Sequence, residues 1–305
     1  MDLKHSNAQS NNTKPTMKLS AFTFLKNGAL LGYPFIQSIQ SVLPIVDEFV
    51  IALGPCSDDT EVQLLALNEP KIRIIKSHWC DLMREKGYVY GQQKMVAQFN
   101  CTGDWAFYIE ADEVVHENDL ETIKASCETH LNNPDVEALV FDYLHFYGNK
   151  NTYLHSPGWY KRAPRIIKTN VRSYAPDGLF WLVLEKNKVG RYPKAALIGA
   201  NMYHYGWVRS EAQMNAKSSN VNQYWDKTPE QFDYAQIDAS ILREFTQTHP
   251  KVMYDWLPEA TGIFQTNPEH RLTSKEKRHR LKAKLEQIFH VDLSKKHFRL
   301  IDPNK

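Results

Sequence analysis

Short apolar runs alternate with helical segments along residues 18–143, and this alternation constrains the fold more than any other feature. The runs lie at residues 19–25, 49–53, 72–75, 105–109 and 136–143. Between the first two runs, Phe35, Ile39 and Val42 repeat with the period of a helix. Strands that alternate with helices predict an α/β fold with a mostly parallel, Rossmann-like sheet and helices on both faces. Ligands of such sheets bind at the carboxyl ends of the strands, so we expect functional residues in the loops that follow them.

Composition excludes several classes of protein. The 305 residues carry 37 basic and 35 acidic side chains, a net charge of +2, so no nucleic-acid partner is expected. No apolar run reaches the length of about 18 residues that a membrane span requires. Residues 1–17 are polar and lack the features of a secretory leader. We therefore predict a cytoplasmic protein whose residues 1–17 form a disordered tail.

Aromatic side chains are concentrated in residues 143–208, where they alternate with Arg, Lys and His. They are Tyr143, Phe146, Tyr147, Tyr153, Trp159, Tyr160, Tyr174, Phe180, Trp181, Tyr192, Tyr203, Tyr205 and Trp207. Two interpretations are open. The rings form an aromatic core, or they form a platform on which sugar rings or bases stack.

The C-terminal region, residues 209–305, is predicted to be a helical extension. Helices are expected at residues 210–225 and 238–245. A basic amphipathic helix follows from residue 271, with an apolar stripe formed by Leu281, Leu285, Ile288 and Phe289. Such a helix either solvates its charges while it packs on the body of the protein, or contacts an anionic membrane surface.

The sharpest local signal is the acidic sequence Glu110-Ala111-Asp112-Glu113, directly after the apolar run at residues 105–109. Residues two apart in an extended chain face the same side, so Glu110 and Asp112 are expected to point together beyond the strand end. Mg²⁺ and Mn²⁺ favour one or two carboxylates plus substrate phosphates. The pair therefore indicates either a site for such a metal or a solvated strand end.

Taken together, the strand-end motifs resemble those of GT-A glycosyltransferases, specifically the family 2-like bacterial enzymes that build surface polysaccharides and lipopolysaccharides. The matching stretches are residues 24–28, 43–50, 57–60, 93–97, 102–105 and 110–113. They cover about residues 18–120. The resemblance implies a GT-A fold, in which residues 18–142 bind a nucleotide sugar and residues 143–208 bind the acceptor and carry out catalysis.

The resemblance also implies roles for single residues. Asp112 matches the second acid of the family's DxD motif and would ligate Mn²⁺ or Mg²⁺ together with Glu110, which stands where that motif usually has Asp. Lys94 matches a basic position that would contact the donor's phosphates or nucleobase; otherwise it is an ordinary solvated lysine. Leu25 and Lys26 would border the nucleoside through their backbone.

One departure from the family pattern lies after the second strand. The family commonly has an Asp for the nucleobase there, and this chain has Leu53-Gly54. Asp58 is the nearest acid and becomes the expected donor-binding residue of that turn. The identity of the base is left open by this departure.

Several later residues complete the implied site. His204 matches a late histidine near the metal and diphosphate, and neutral imidazole is a suitable ligand. Arg162 and Arg165 either clamp phosphate through paired donors or solvate a strand. Asp177 is the first candidate for the base that deprotonates the acceptor, and Glu185 is the second. Pro-Asp-Gly is also a strong turn sequence, so Asp177 has a structural alternative.

These expectations combine into one functional hypothesis and one alternative. The hypothesis is a metal-dependent, inverting glycosyltransferase that moves a sugar from a nucleotide-diphosphate donor to a glycan or lipid-linked acceptor in surface polysaccharide biosynthesis. Peripheral contact with the inner face of the membrane, through the basic C-terminal helix, is part of it. The alternative is a non-catalytic glycan-binding or scaffold module on the same fold.

Overall fold

The computed structural model describes residues 16–225, 228 and 231–301. Residues 1–15 of the predicted disordered tail therefore lie outside the described residues, whereas Met17 packs against the core. The strands are β1 (Leu19–Leu25), β2 (Glu48–Leu53), β3 (Ile72–Lys76), β4 (Trp105–Tyr108), β5 (Glu113–Val115), β6 (Ala138–Tyr147), β7 (Asn149–Leu154), β8 (Arg162–Lys168), β9 (Ser173–Tyr174), β10 (Leu182–Leu184), β11 (Gly190–Arg191), β12 (Lys194–Trp207), β13 (Leu242–Glu244) and β14 (Arg299–Leu300). The α-helices are α1 (Phe35–Val42), α2 (Thr60–Ala66), α3 (Tyr88–Gln98), α4 (Leu120–His130), α5 (Glu211–Asn222) and α6 (Ser274–Phe289).

One large mixed sheet organises the chain. Its parallel part has the order β3-β2-β1-β4. The antiparallel strand β8 joins β4 to β6, and β12 runs parallel to β6 on its other side. The short strand β5 pairs with β12, which brings the loop after β4 beside the second half of the chain. A separate small sheet contains β9, β10 and β11.

Both faces of the parallel part are covered by helices. Alternate residues of β1 point to opposite faces, so Ala21 lies in one hydrophobic cluster and Phe22 in another. The first cluster contains residues of α1 and α4, and the second contains Ala97 of α3. The α/β fold class predicted from the alternating pattern is confirmed.

Two details of the predicted organisation differ from the structure. The boundary expected between residues 142 and 143 falls inside β6, so one continuous strand serves both expected halves. The helix predicted at residues 238–245 is wrong: a short 3-10 turn precedes β13, which pairs with β7. Backbone hydrogen bonds to the edge of the sheet, such as Phe245 N to Asn151 O, outweigh the local helical pattern.

The C-terminal region also contributes β14, which pairs with β12, so the predicted helical extension contains two strands of the main sheet. Among the described residues, no helix has the length and apolar character needed to cross a bilayer.

A buried ion cluster ties β8 to the loop after β4. The Arg165 guanidinium is fully buried and lies 2.7 Å from Glu110 Oε1 and 2.6 Å from Glu113 Oε1. It also donates to the Leu179 carbonyl at 2.9 Å, and the Tyr143 hydroxyl donates to Glu113 at 2.6 Å. Every charge in this cluster has a partner, which is the condition under which buried charges are tolerated.

Removal of the Arg165 charge should therefore destabilise the fold. We expect Arg165→Met to lower the free energy of unfolding by about 3–5 kcal/mol, because Glu113 would stay buried without its counter-charge. Arg162→Met on the same strand is the matched control: Arg162 pairs with Asp142 at 2.7 Å, but both side chains are more than a third exposed. Its cost should be about 0–1 kcal/mol. Equal costs in urea unfolding would contradict this account of the cluster.

Candidate functional site

A cavity of about 510 Å³ opens beyond the carboxyl ends of β1 and β4. Leu25 and Lys26 line it from β1, and Glu110 and Asp112 line it from the loop after β4. The second half of the chain adds His204 and Trp207 from β12 and Lys217 from α5. The cavity therefore lies where a parallel sheet is expected to bind its ligand.

Three side chains of this cavity form a group that can hold a metal ion. One ligand atom each from Glu110, Asp112 and His204 lies within 4.8 Å of the others. Glu110 and Asp112 are two residues apart after β4, and His204 reaches them because β12 pairs with β5, with His204 opposite Glu113. The backbone N–H of Tyr205 fixes this approach by donating to the Asp112 carbonyl at 2.8 Å.

A chain of hydrogen bonds determines the tautomer of His204, that is, which of its two ring nitrogens carries the proton. His145 Nε2 lies 2.8 Å from the Tyr160 carbonyl, which only accepts, so this nitrogen carries the proton. His145 Nδ1 is then an acceptor for the Nδ1–H of His204, 3.2 Å away. Burial lowers the pKa of both imidazoles, that of His145 to about 4, which keeps both rings neutral.

It follows that His204 Nε2 has no proton and lies 3.6 Å from Asp112 Oδ1. A nitrogen lone pair and a carboxylate oxygen then face each other with no hydrogen between them. A cation bound by both atoms, or a water molecule that donates to both, removes this repulsion. Two carboxylates and one neutral imidazole are suitable ligands for Mn²⁺ or Mg²⁺, so the residues fit such an ion.

Basic residues balance the charge of Asp112 on its other oxygen. Lys217 Nζ lies 2.9 Å and Arg209 Nη2 lies 3.4 Å from Asp112 Oδ2. Burial alone would raise the pKa of Asp112, but these charges hold it well below its ordinary value. For Glu110 the opposite balance holds: burial and the neighbouring Glu113 carboxylate raise its pKa, although Arg165 opposes the change.

An aromatic cage forms one end of the cavity. It consists of Phe24, Trp79, Tyr90 and Tyr224, with neighbouring ring centroids 5.5–6.1 Å apart. Lys26 and the Tyr224 hydroxyl both bond to the Asp81 carboxylate at its rim, at 3.1 Å and 2.9 Å. The indole N–H of Trp79 is buried and has no hydrogen-bond partner among the described residues.

The aromatic residues of 143–208 divide between the two interpretations. Phe146, Tyr203 and Tyr205 are buried in a hydrophobic cluster and form part of the core. Tyr160 and Trp207 line the cavity instead. The core interpretation therefore holds for the first three residues, and the platform stays a prediction for Tyr160 and Trp207.

The structure brings five of the predicted site residues together at the cavity: Leu25, Lys26, Glu110, Asp112 and His204. The remaining predicted residues do not line it. Two of these have structural partners close by: Arg165 belongs to the buried ion cluster, and Asp58 accepts from Leu30 N at 2.7 Å and so shapes the turn after β1.

Lys94, Asp177 and Glu185 are also outside the cavity lining. Lys94 is fully buried between the rings of Tyr108 and Trp181, with Nζ 4.0 Å and 3.9 Å from their centroids. Asp177 accepts from Leu179 N at 2.8 Å and adjoins the cavity through its turn. Glu185 lies 3.1 Å from Arg191 in the small sheet.

Several cavity residues are absent from the sequence-based prediction. Trp79 and Asp81 follow β3, and the strand-end rule applied to that strand would have found them. Lys217 lies within α5, a polar helix with no apolar periodicity to show which of its faces is buried. Arg209, just before this helix, does not line the cavity but contacts Asp112. No sequence pattern marks Tyr224 as a cavity residue, because its place in the aromatic cage depends on packing against Trp79.

No protein-family model matches the chain, and no curated protein matches it. Solved structures match it in part. Glucosyl-3-phosphoglycerate synthase from Mycobacterium tuberculosis, in complex with Mn²⁺, UDP and phosphoglyceric acid, is 18% identical with a TM-score of 0.32; the match covers 43% of this chain and 44% of that one. S. aureus TarS is 14% identical with a TM-score of 0.37, over 67% of this chain and 39% of that one.

A shorter TarS structure from S. aureus gives 14% identity and a TM-score of 0.34, over 50% of this chain and 47% of that one. This chain thus spans less than half the length of each of these structures. The matches agree with the resemblance to GT-A glycosyltransferases noted in the sequence. At these TM-scores and identities they carry no argument for an activity of this chain.

Gly206 offers a test of the metal group that does not alter a ligand. A Cβ at this position would lie 2.6 Å from His204 Cε1 and 2.7 Å from its Nε2. We therefore expect Gly206→Ala to displace the imidazole and to weaken Mn²⁺ binding by at least about tenfold, a loss typical of disturbed ligand orientation. Loss of the free Mn²⁺ signal in electron paramagnetic resonance measures the affinity.

Gly190→Ala is the control for this experiment, because Gly190 lies in the small sheet and its added Cβ would meet Tyr174 and Leu182 instead. Circular dichroism checks that both variants fold. If Gly206→Ala folds and binds Mn²⁺ as the unaltered protein does, His204 is not a ligand.

Proposed function

We propose that this chain is a metal-dependent glycosyltransferase that moves a sugar from a nucleotide-diphosphate donor to a glycan or lipid-linked acceptor, in surface polysaccharide biosynthesis. The observation that carries the proposal is the group of Glu110, Asp112 and His204, whose ligand atoms lie within 4.8 Å of one another inside a cavity with an aromatic cage. A metal site beside a stacking site at the strand ends suits a ligand that has both a diphosphate and a base.

The metal-binding end of the cavity is suited to the diphosphate. Asp112, His204 and Glu110 would hold Mn²⁺ or Mg²⁺, which supplies positive charge to the oxygens of the departing diphosphate. Lys217 and Arg209 already lie at Asp112 and supply further donors for phosphate at the same place. These two side chains balance the Asp112 charge when no donor is bound.

The cage end is suited to the nucleobase. The rings of Trp79, Tyr90 and Tyr224 line this end of the cavity and would pack against a base. Asp81, at the end of β3, takes the place of the acid that is missing at Leu53-Gly54, and Lys26 holds it in position.

The acceptor side would lie at Tyr160 and Trp207, whose rings line the other part of the cavity. We propose Asp177 as the base that takes the proton from the acceptor hydroxyl in a single, inverting displacement. Its turn reaches the cavity through Gly178 and Leu179. Burial raises the pKa of Asp177, which makes it a stronger base.

Titration with nucleotides tests the donor site. We expect one of UDP, GDP, CDP and dTDP to bind in calorimetry only when Mn²⁺ or Mg²⁺ is present, because the metal links the carboxylates to the phosphates. Asp112→Asn should weaken this binding by at least about tenfold. Asp135→Asn is the control, because Asp135 is largely exposed and pairs with Lys194. Binding that is independent of metal and of Asp112 would contradict the proposal.

The alternative, a non-catalytic glycan-binding or scaffold module, gives a different result. It should bind oligosaccharides without nucleotide or metal, and no nucleoside diphosphate should bind with metal-dependent affinity.

The choice between Asp177 and Glu185 can be tested once the donor is known. We expect Asp177→Asn to lower kcat by about a hundredfold or more, a loss typical of a general base, while the affinity for the nucleotide stays unchanged. Release of nucleoside diphosphate in the presence of glycan fragments measures the rate. If Glu185→Gln lowers kcat instead, Glu185 is the base and the assignment of Asp177 is wrong.

A further inference from the structure

Helix α6 packs with an unusual orientation. A surface helix ordinarily buries its apolar stripe and exposes its polar residues. In α6 the side that faces the protein carries charged side chains with partners there. Glu286 lies 2.7 Å from Lys161, and Arg280 lies 2.7 Å from Asp238.

The other inner contacts of α6 are also polar. Glu276 accepts from the backbone N–H of Asp238 at 3.0 Å and bonds to His270. His279 packs so closely against Gly158 that a Cβ on this glycine would clash with its ring. Residues 276, 279, 280 and 286 lie on one side of a helix with 3.6 residues per turn, so this side faces the protein.

The apolar stripe of α6 lies on the opposite side, where three of its four residues are exposed and Leu285 is partly buried. Leu281 is 60% exposed, Ile288 is 66% exposed and Phe289 is 64% exposed. Val291 and Leu293, directly after the helix, are 47% and 39% exposed. Nothing among the described residues covers these side chains, although exposing them to water is unfavourable.

The charges around the stripe are all of one sign. Every exposed charged residue between positions 274 and 300 is basic: Lys275, Lys277, Arg278, Arg280, Lys282, Lys284, Lys295, Lys296 and Arg299. The acidic residues of this segment, Glu276, Glu286 and Asp292, are less exposed and each has a partner within the protein. The outer face therefore combines apolar side chains with an uninterrupted positive charge.

We propose that this face of α6 docks on an anionic lipid surface. The exposed Leu281, Ile288 and Phe289 would enter the boundary between headgroups and acyl chains, while the flanking lysines and arginines contact lipid phosphates. The charge pattern favours this occupant over a second copy of the chain, because two copies would bring like charges together.

The position of α6 gives this docking a consequence for the cavity. Lys161, which holds Glu286, directly follows the cavity residue Tyr160. Docking through α6 would therefore place one wall of the cavity near the lipid surface. The inference does not depend on the proposed activity, because none of the donor-site residues takes part in it.

Flotation with vesicles tests the proposal. We expect the protein to bind vesicles of phosphatidylglycerol and phosphatidylcholine in equal parts, to bind pure phosphatidylcholine vesicles poorly, and to dissociate as salt is added. Two variants separate the contributions. L281Q/I288Q/F289Q removes the apolar stripe, and K277Q/K282Q/K284Q removes three of the charges. Each should weaken binding to the anionic vesicles by at least about tenfold.

V62Q/L65Q is the matched control, because Val62 and Leu65 of α2 are exposed to a similar extent, 65% and 62%. This variant should bind as the unaltered protein does. The proposal is overturned if the unaltered protein does not bind anionic vesicles, or if neither α6 variant weakens binding. It is also overturned if sedimentation shows a dimer that L281Q/I288Q/F289Q abolishes, since a second copy would then cover the face.

Discussion

The site depends on the burial of one positive charge, that of Arg165, between two carboxylates. Its guanidinium reaches Glu110 and Glu113 from a neighbouring strand and is itself fully buried. This contact fixes the loop after β4, in which Asp112 lies between the two paired acids. Asp112 is thereby held at the cavity, beside Glu110, which contacts Arg165 and also lines the cavity. Loss of this one charge would disturb both the sheet and the metal group.

The positions of the protons on the His145 and His204 rings are a second constraint on the site. The Tyr160 carbonyl, His145 and His204 form a relay in which each partner fixes the tautomer of the next. The relay ends at a bare nitrogen that faces Asp112. Gly206 keeps this approach open, since any larger residue would meet the His204 ring. Backbone pairing between β5 and β12 thus brings His204 to Glu110 and Asp112, a group that can hold a cation. Lys217 and Arg209 bind Oδ2 of Asp112 and so leave its Oδ1 for such a cation.

The sequence was sufficient to predict what depends on local periodicity. The five strands expected in residues 18–143 and the helices on both faces of the sheet follow from periods of 2 and 3.6. The extended chain expected at Glu110 and Asp112 is wrong: a turn closed by Glu113 N–H to the Glu110 carbonyl brings both acids to the cavity. Features that depend on distant partners could not be predicted. Lys94 is buried because aromatic rings from two remote segments enclose it. Residues 242–244 form a strand because an open sheet edge is available. Lys217 enters the site from a helix that has no amphipathic pattern.

The central claim is that a metal ion binds between Asp112 and His204. Anomalous diffraction at the manganese edge, from crystals soaked with Mn²⁺ and a nucleoside diphosphate, tests it most directly. The account predicts one strong peak in contact with Asp112 Oδ1 and His204 Nε2, beside the diphosphate. A diphosphate bound at Lys217 and Arg209 with no manganese peak at these two atoms would contradict it.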